Sequence, residues 1–234
     1  KMVLERNPNY REVHYDEQPP AGDARLQAIA ARFKGRRLPL NDRVEVSIIE
    51  ENQPRWLSFL NGEANFIERV PGEFINVAYP GGRVAPHLAR RGISGQRGLV
   101  SDITLTIFNM EHPVIGGMAP ERVALRRAIC LGIDVEREIR LVRRGMAIPA
   151  QGPLMPHTTG YDPAWRSEGG RYDPARAKAL LDLYGYVDRD GDGWRERPDG
   201  SPLTIEYATQ PDDLSRQFDE LWKRNLDRIG VRLK

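Results

Sequence analysis

The sequence is poor in the residues that build disulfide and zinc frameworks. Cys130 is the single cysteine, so no disulfide can form within the chain. The four histidines have no zinc-binding spacing and accompany no cysteine pair. No apolar run approaches about 18 residues, so the sequence predicts no membrane-spanning helix. Stability must then come from a packed core, which a hydrophobic content of 40% permits.

Catalytic signatures are missing as well. No serine lies in a Gly-x-Ser-x-Gly elbow, and the glycine pairs form neither a dinucleotide fingerprint nor a phosphate loop. Cys130 lies in an apolar run without a histidine nearby, which predicts a buried small hydrophobe. We therefore predict no catalytic residues and no enzyme. A hydrolase or transferase of an unrelated class is a competing hypothesis, which would need a nucleophile–base pair or a metal set.

The charges are dispersed along the chain. The formal net charge is +2, and arginine pairs such as Arg126-Arg127 recur at wide intervals. A surface that follows nucleic-acid phosphates would gather cations and aromatic residues in one patch. The sequence therefore predicts solvated arginine faces and no nucleic-acid partner.

Both ends of the chain have β-strand character. Residues 1–6 lack the order of charged, apolar and small residues that marks a signal peptide, and residues 231–234 resemble the start of a strand. We expect an internal fragment of a longer protein.

In the first half, β-rich and helical segments alternate. The pattern predicts a strand at 44–49, a helix at 54–60 and a strand at 64–70, the two strands pairing in parallel through a short crossover. The remaining predictions are a short helix at 73–78, a loop at 80–98 and a half-buried strand at 102–108.

Beyond residue 109 the apolar residues recur at helical spacing. Asp134 and Asp173 stand at N-cap positions, and glycines follow the predicted helices as stops. Strands are predicted at 204–209 and from 231, with a long amphipathic helix between them. This alternation indicates an α/β fold, divided near residues 108–112.

A calcium-loop pattern of alternating carboxylates, a glycine and a later acid lies between residues 188 and 199. Arg195 stands where an aliphatic residue is usual, Asp199 replaces a longer glutamate, and a strand follows the loop where a helix is usual. We therefore favour a connector stabilised by Asx turns and no cofactor, and keep a structural calcium site as the alternative. Its candidate ligands are Asp188, Asp190, Asp192, Glu196 and Asp199.

Aromatic residues offer faces that accept varied apolar groups. Trp56 and Trp222 lie on apolar helical faces, which predicts core positions. Trp165 follows a Gly-Tyr-Asp-Pro-Ala segment, and we expect it in a loop at the rim of a pocket.

Ordered motifs run the whole length of the chain. Residues 3–10 are similar to a strand entering an NPNYW segment, and residues 60–64 to an L-x-x-GE-x-D turn. Residues 108–134 resemble the block FN…VRxAIxxAIDR, and residues 147–156 resemble A-x-PAxGPLPP. The Asp-Gly-rich turn and the Ile-Gly-Val step at 229–231 complete the order. On these motifs the chain resembles the family 5 extracellular solute-binding proteins of ABC importers, which include dipeptide- and oligopeptide-binding proteins.

The resemblance implies part of a type II, two-lobed periplasmic-binding-protein-like α/β fold, with residues 1–108 in the first lobe and 109–234 in the second. Phe108 and Asn109 would lie near the crossover between the lobes, where ligands bind, and Trp165 at the rim. The acidic residue that meets a peptide's amino terminus is expected in a segment that follows the Ile-Gly-Val step, outside this chain.

The implied function is the substrate-binding component of an ABC importer, which captures peptides, or a related solute such as nickel, haem or a sugar. It would deliver the ligand to a membrane permease as a monomeric periplasmic protein or extracytoplasmic lipoprotein. A sensor or chaperone-like protein on the same fold, and a calcium-binding module, are the alternatives.

Overall fold

Two units with separate packing make up the chain in the computed structural model, which describes every residue from 1 to 234. They are Lys1–Pro71 and Gly72–Lys234. The resemblance divides the chain differently, into residues 1–108 and 109–234 of two lobes. The two units describe packing within this chain, and the assignment to lobes stays a prediction. No helix has both the length and the apolar character needed to cross a membrane.

The first unit contains a two-stranded antiparallel ribbon. β1 (Met2–Glu5) pairs with β2 (Arg43–Val46), and the Arg6 N–H continues the ladder to the Asp42 carbonyl at 2.8 Å. The expected parallel pairing of β2 with residues 64–70 is wrong, since those residues form bends and no strand. The hydrogen bonds of β2 go to β1, about 40 residues earlier in sequence, and a local pattern cannot reveal such a distant partner.

Two helices complete the first unit. Asp23 begins α1 (Ala24–Phe33) by accepting the Leu26 N–H at 2.9 Å. The helix predicted at 54–60 is confirmed as α2 (Asn52–Leu60), and its Trp56 is only 5% exposed, as expected for a core residue.

The second unit carries most of the helices. Its first part has 3₁₀ turns at Gly72–Phe74 and Pro80–Gly82, and its helices and strands are α3 (Ile75–Ala78), α4 (Pro86–Ala89), α5 (Pro120–Gly132), α6 (Val135–Leu141), α7 (Pro174–Leu183), β3 (Thr204–Ile205), α8 (Asp213–Asp227) and β4 (Arg232–Leu233). β3 and β4 pair in parallel around α8. The helix predicted at 73–78 is confirmed, whereas the loop predicted at 80–98 contains α4.

The helix boundaries follow from side-chain caps. Asp134 accepts the Arg137 N–H at 2.9 Å, and Asp173 accepts the Arg176 N–H at 3.0 Å, as their positions before α6 and α7 predict. Gly185 stops α7 with φ of 79°, a left-handed conformation that favours glycine. These signals lie within one turn of the boundary they set, which is why the sequence reveals them.

The core of the second unit lies where α5 contacts α7 and α8, and residues of β3 and β4 pack against it. Burying a leucine or isoleucine side chain contributes about 1.5–3 kcal/mol. Gly132 permits the close approach of the segment that follows α8, because a Cβ there would lie 3.0 Å from Ile229 Cδ1. The fully or almost fully buried members are Leu125, Ala128, Leu131, Ala177, Leu181, Leu203, Leu226, Ile229 and Val231.

The strands predicted at 102–108 and 204–209 differ from the structure. The alternation at 102–108 suits a strand, but these residues pair with no ladder, and Ile107 is 84% exposed. At 204–209 only Thr204–Ile205 is a strand, although the Tyr207 N–H still donates to the Lys234 carbonyl at 2.8 Å. Alternation of apolar and polar residues shows that a segment is compatible with a β-strand. A strand also needs a neighbouring strand to satisfy its backbone hydrogen bonds.

Arg195, in the acidic loop, joins α7 to the segment that follows α8. Its Nε donates to the Ile229 carbonyl at 2.8 Å. Its Nη1 donates to the Tyr186 carbonyl and to Asp182 Oδ1, both at 2.5 Å. The side chain is only 11% exposed. The residue that departs from the calcium-loop pattern is therefore the one that anchors the loop to the core.

We expect Arg195→Gln to lower the free energy of unfolding by about 2–4 kcal/mol, because buried carbonyl acceptors lose their charged donor. Urea denaturation measures this. Arg224→Gln is the matched control, since Arg224 forms an exposed pair with Glu220 and should change stability by less than about 0.5 kcal/mol. Equal effects of both substitutions would contradict the anchoring role.

A second long-range contact joins α6 to α8. Trp222 Nε1 donates to Glu138 Oε2 at 3.1 Å, and the Trp222 ring stacks on Tyr207 with centroids 5.4 Å apart. Trp222 is half-buried and packs against the core, in partial agreement with its predicted core position. Burial raises the pKa of Glu138 above its usual value, and the Trp222 N–H and Arg143 act in the opposite direction.

Glu138 should make stability depend on pH. Because its pKa is higher in the folded chain than in the unfolded chain, its contribution is fully present below the unfolded value of 4.5 and is lost as pH rises through the folded pKa. The free energy of unfolding of Glu138→Gln minus that of the wild type should therefore rise between pH 4.5 and 7.5. Urea titrations at several pH values check this, and a difference that stays constant or falls would contradict it.

Candidate functional site

The predicted ligand residues Phe108 and Asn109 lie at the start of a tight loop. The Asn109 side chain accepts the Glu111 N–H at 3.0 Å, and Asn109 itself is exposed. The Gly117 N–H closes the loop on the Met110 carbonyl at 2.7 Å. Asn109 therefore shapes the loop in this structure, and its role in ligand binding stays a prediction.

Phe108 has a different environment from Asn109. It packs, half-buried, against the core of the second unit. It also lines a cavity of about 220 Å³ between α5 and the residues that precede α7. We call this the α5 cavity, and its lining residues are Phe108, Arg126, Arg127, Cys130, Leu131, Glu168 and Gly169.

Trp165 packs against the loop segment that contains Gly152. The ring is 52% exposed, and a Cβ on Gly152 would lie 3.2 Å from Trp165 Cζ3. Gln151 next to it accepts the Ser167 N–H at 3.0 Å, which holds the two loop segments together. The exposed loop position is as predicted. Neither Trp165 nor Asn109 lines the α5 cavity, so the three predicted ligand residues do not share it.

The wall of the α5 cavity that α5 supplies combines a thiol with two guanidinium groups. Cys130 is half-buried, and burial raises the pKa of its thiol, in keeping with the predicted unreactive hydrophobe. Arg126 Nη1 donates to the Ile115 carbonyl at 2.5 Å. The sequence predicts solvated arginine faces, yet Arg126 is half-buried. Only the return of residues 168–169 to α5 makes this a cavity, and no sequence motif signals that return.

Glu168 forms part of the rim of the α5 cavity and is held by two arginines. Both of its oxygens accept hydrogen bonds from Arg127 Nη2, at 2.9 and 2.8 Å, and Arg176 also pairs with it. The hydrogen bond from Arg127 lowers the pKa of Glu168, and Arg176 adds to this effect. The carboxylate is therefore ionised at neutral pH.

The acidic loop brings together four of the five predicted calcium ligands. One carboxylate oxygen from each of Asp188, Asp190, Asp192 and Glu196 lies within 4.8 Å of the others. Asp199, the fifth candidate, is held elsewhere, because it accepts hydrogen bonds from the Ser201 N–H at 3.0 Å and the Ser201 hydroxyl at 2.5 Å. Its place in the predicted ligand set has no support in this geometry.

Backbone amides already use the clustered carboxylates. Asp188 accepts the N–H groups of Gly191 and Gly193 at 2.7 and 2.9 Å. Asp192 accepts the Trp194 N–H at 2.8 Å and lies 3.5 Å from Arg232 Nη2. These are the turn bonds expected of an Asx-stabilised connector. The carboxylates retain lone pairs that could reach a hard cation.

We expect the loop to be a connector, so that calcium at about 1–5 mM leaves the melting temperature unchanged, because the carboxylates already cap their own backbone. Differential scanning fluorimetry with and without a chelator measures this. Asp190→Ala and Asp213→Ala form a matched pair inside and outside the loop. A calcium-dependent rise in melting temperature that Asp190→Ala abolishes and Asp213→Ala retains would establish a metal site instead.

Comparison with known proteins gives the family. A model described as "Bacterial extracellular solute-binding proteins, family 5 Middle" matches residues 1–234. Di/tripeptide-binding protein 2 of Pseudomonas aeruginosa is 33% identical over 111 residues, which cover 47% of this chain and 18% of that protein. The glutathione-binding protein GsiB of Pectobacterium atrosepticum is 23% identical over 201 residues, which cover 84% of this chain and 33% of that protein.

A solved structure gives the fold. NikA from Brucella suis, crystallised with Fe(III)-EDTA, aligns with a TM-score of 0.61 and 21% identity over 84% of this chain and 37% of its own. The chain thus spans less than two fifths of the length of each of these three proteins. It has part of the two-lobed, type II fold of periplasmic binding proteins. The chain belongs to the bacterial extracellular solute-binding proteins of family 5.

Proposed function

We propose that the chain is part of the substrate-binding component of an ABC import system. The complete protein would capture a di- or oligopeptide, or a related small solute, between its two lobes and deliver it to permease subunits in the membrane. The observation that carries this proposal is the family match over all of residues 1–234. The names of the two curated relatives, which bind di/tripeptides and glutathione, favour peptides as the solute class.

The chemistry of the chain is compatible with binding and release. Closure of two lobes excludes water from a cleft, which strengthens polar contacts to the ligand. Such binding needs hydrogen-bonding groups and apolar surface, and it needs no nucleophile. The one thiol, at Cys130, has a pKa raised by burial, which disfavours the thiolate that nucleophilic catalysis would require.

The proposal extends to location and assembly. A family 5 solute-binding protein acts outside the cytoplasm, so we place the complete protein in the periplasm or, as a lipoprotein, on the outer face of the membrane. It would act as a monomer, because each two-lobed molecule encloses its own ligand. A sensor or a chaperone-like protein on this fold is the second candidate, since the same cleft could present a ligand to a receptor or hold an unfolded segment.

The full-length protein should gain thermal stability with at least one short peptide. A ligand that binds only the folded state stabilises it by about 2.7 kcal/mol at 100 times its dissociation constant. Differential scanning fluorimetry against di-, tri- and oligopeptides, nickel complexes and sugars measures this. A full panel without any shift would contradict a solute-binding role.

Uptake separates import from the other roles. Cells that lack the gene should lose uptake of the stabilising solute and regain it with the wild-type protein. Stabilisation without loss of uptake would favour the sensor, and preferential binding of unfolded polypeptide would favour the chaperone-like role.

A further inference from the structure

The α5 cavity has an apolar interior. Phe108 and Leu131 supply apolar walls, and Cys130 supplies a thiol whose pKa is raised by burial. Gly169 lies next to the thiol, because a Cβ added there would be in van der Waals contact with Cys130, 3.4 Å from its Cβ and 3.9 Å from its Sγ. An apolar cavity of about 150 Å³ is large enough to bind benzene. The α5 cavity, at about 220 Å³, therefore has room for one phenyl or branched aliphatic group.

The rim of the same cavity carries an excess of positive charge. Arg126 and Arg127 line the cavity with the single carboxylate of Glu168, and Arg176 pairs with that carboxylate from outside the lining. Arg126 forms no ion pair, and its one side-chain hydrogen bond goes to the Ile115 carbonyl. A guanidinium group has five N–H donors, so donors remain that could bind a carboxylate.

The cavity is open to solvent at this rim. The side chains of Arg127 and Glu168 are 50% and 45% exposed, whereas Leu131 at the base is buried. A packing void would be sealed by apolar side chains. An apolar pocket with a solvated, cationic rim instead fits a small amphipathic anion.

We propose that the α5 cavity binds the apolar side chain of a solute that carries a carboxylate beside it, as the C-terminal residue of a short peptide does. The side chain fills the space over Gly169 between Phe108 and Cys130, and the carboxylate pairs with Arg126. The peptide as the natural ligand rests on the proposed function, whereas the recognition of an apolar carboxylate rests on the cavity alone.

Cys130 provides a direct reporter, since it is the only cysteine and lines the cavity. The probe is N-acetyl-L-phenylalanine, and the readout is the rate at which N-ethylmaleimide alkylates Cys130 in the 234-residue chain. We expect the probe to slow alkylation several-fold, with half-saturation at about 1 mM, as the ligand efficiency of a small molecule suggests. N-acetyl-L-phenylalaninamide should need about 10 times more, because it lacks the charge that pairs with arginine.

Three substitutions test the parts of the cavity separately. Arg126→Gln should weaken protection by N-acetyl-L-phenylalanine about 10-fold, whereas Arg140→Gln, at an exposed position of α6, should leave it unchanged. Gly169→Val should abolish protection by filling the space. Gly169 is free of left-handed strain, and melting curves of each variant verify folding.

Three results of these measurements would refute the proposed site. Absence of protection at about 10 mM probe, equal protection by acid and amide, or equal protection of wild type and Arg126→Gln would each refute this site. If Arg126→Gln does not fold, the acid–amide difference and Gly169→Val still decide the matter.

The full-length protein separates this inference from the proposed function. Tripeptides that end in phenylalanine should bind more tightly than those that end in glycine, and Gly169→Val should remove the difference. Peptide binding that ignores both changes would refute the α5 cavity site while supporting transport. Protection of Cys130 by the probe in a protein that binds no peptide would support the site and refute peptide transport.

Discussion

The close contact between α5 and α7 is the constraint on which the second unit depends. Small side chains at Ala128 and Ala177 let the helices approach, and both residues are fully buried. The Asp173 N–H, at the start of α7, donates to the Leu131 carbonyl at the end of α5 at 2.8 Å. Since α7 begins against the end of α5, the residues just before it must pass over the last turns of α5. The α5 cavity is a direct consequence of that path.

The same unit uses charged side chains in two physically different ways. Arg195 is nearly buried, and its donors are taken by main-chain carbonyls and Asp182, which makes it part of the scaffold. Arg126 is half-buried with one main-chain acceptor and no carboxylate partner. Arginines of equal charge thus differ in the N–H donors they have left for a ligand, and Arg126 has more of them left than Arg195. The carboxylates of the acidic loop resemble Arg195 in this respect, because they already accept hydrogen bonds from the backbone N–H groups of their own loop.

How much of the fold and of the candidate site could be predicted from the sequence depended on how far apart in sequence the interacting residues lie. The N-cap at Asp173 and the stop at Gly185 are local, and both were predictable from the sequence. The pairing of β2 with β1 joins residues about 40 positions apart, and local alternation suggested a different partner. Residues 102–108 have the alternation of a strand without any ladder, because alternation does not supply a partner. Among the predicted ligand residues, only Phe108 lines the α5 cavity. The opposite side is formed by Gly169, about 60 positions later, and no local pattern could pair the two residues.

By itself the sequence determined most of the helices, the caps that begin α6 and α7, and the order of motifs that marks the family, because these depend on short-range hydrogen bonds and on periodic burial. Only the tertiary structure decided which strands pair, that Arg195 anchors the acidic loop, and that Phe108, Cys130 and Gly169 line one cavity. Those features need residues far apart in sequence to meet, and the free energy that brings them together comes from packing around α5. A one-dimensional pattern records which residues prefer burial, but it does not record which of them will be neighbours.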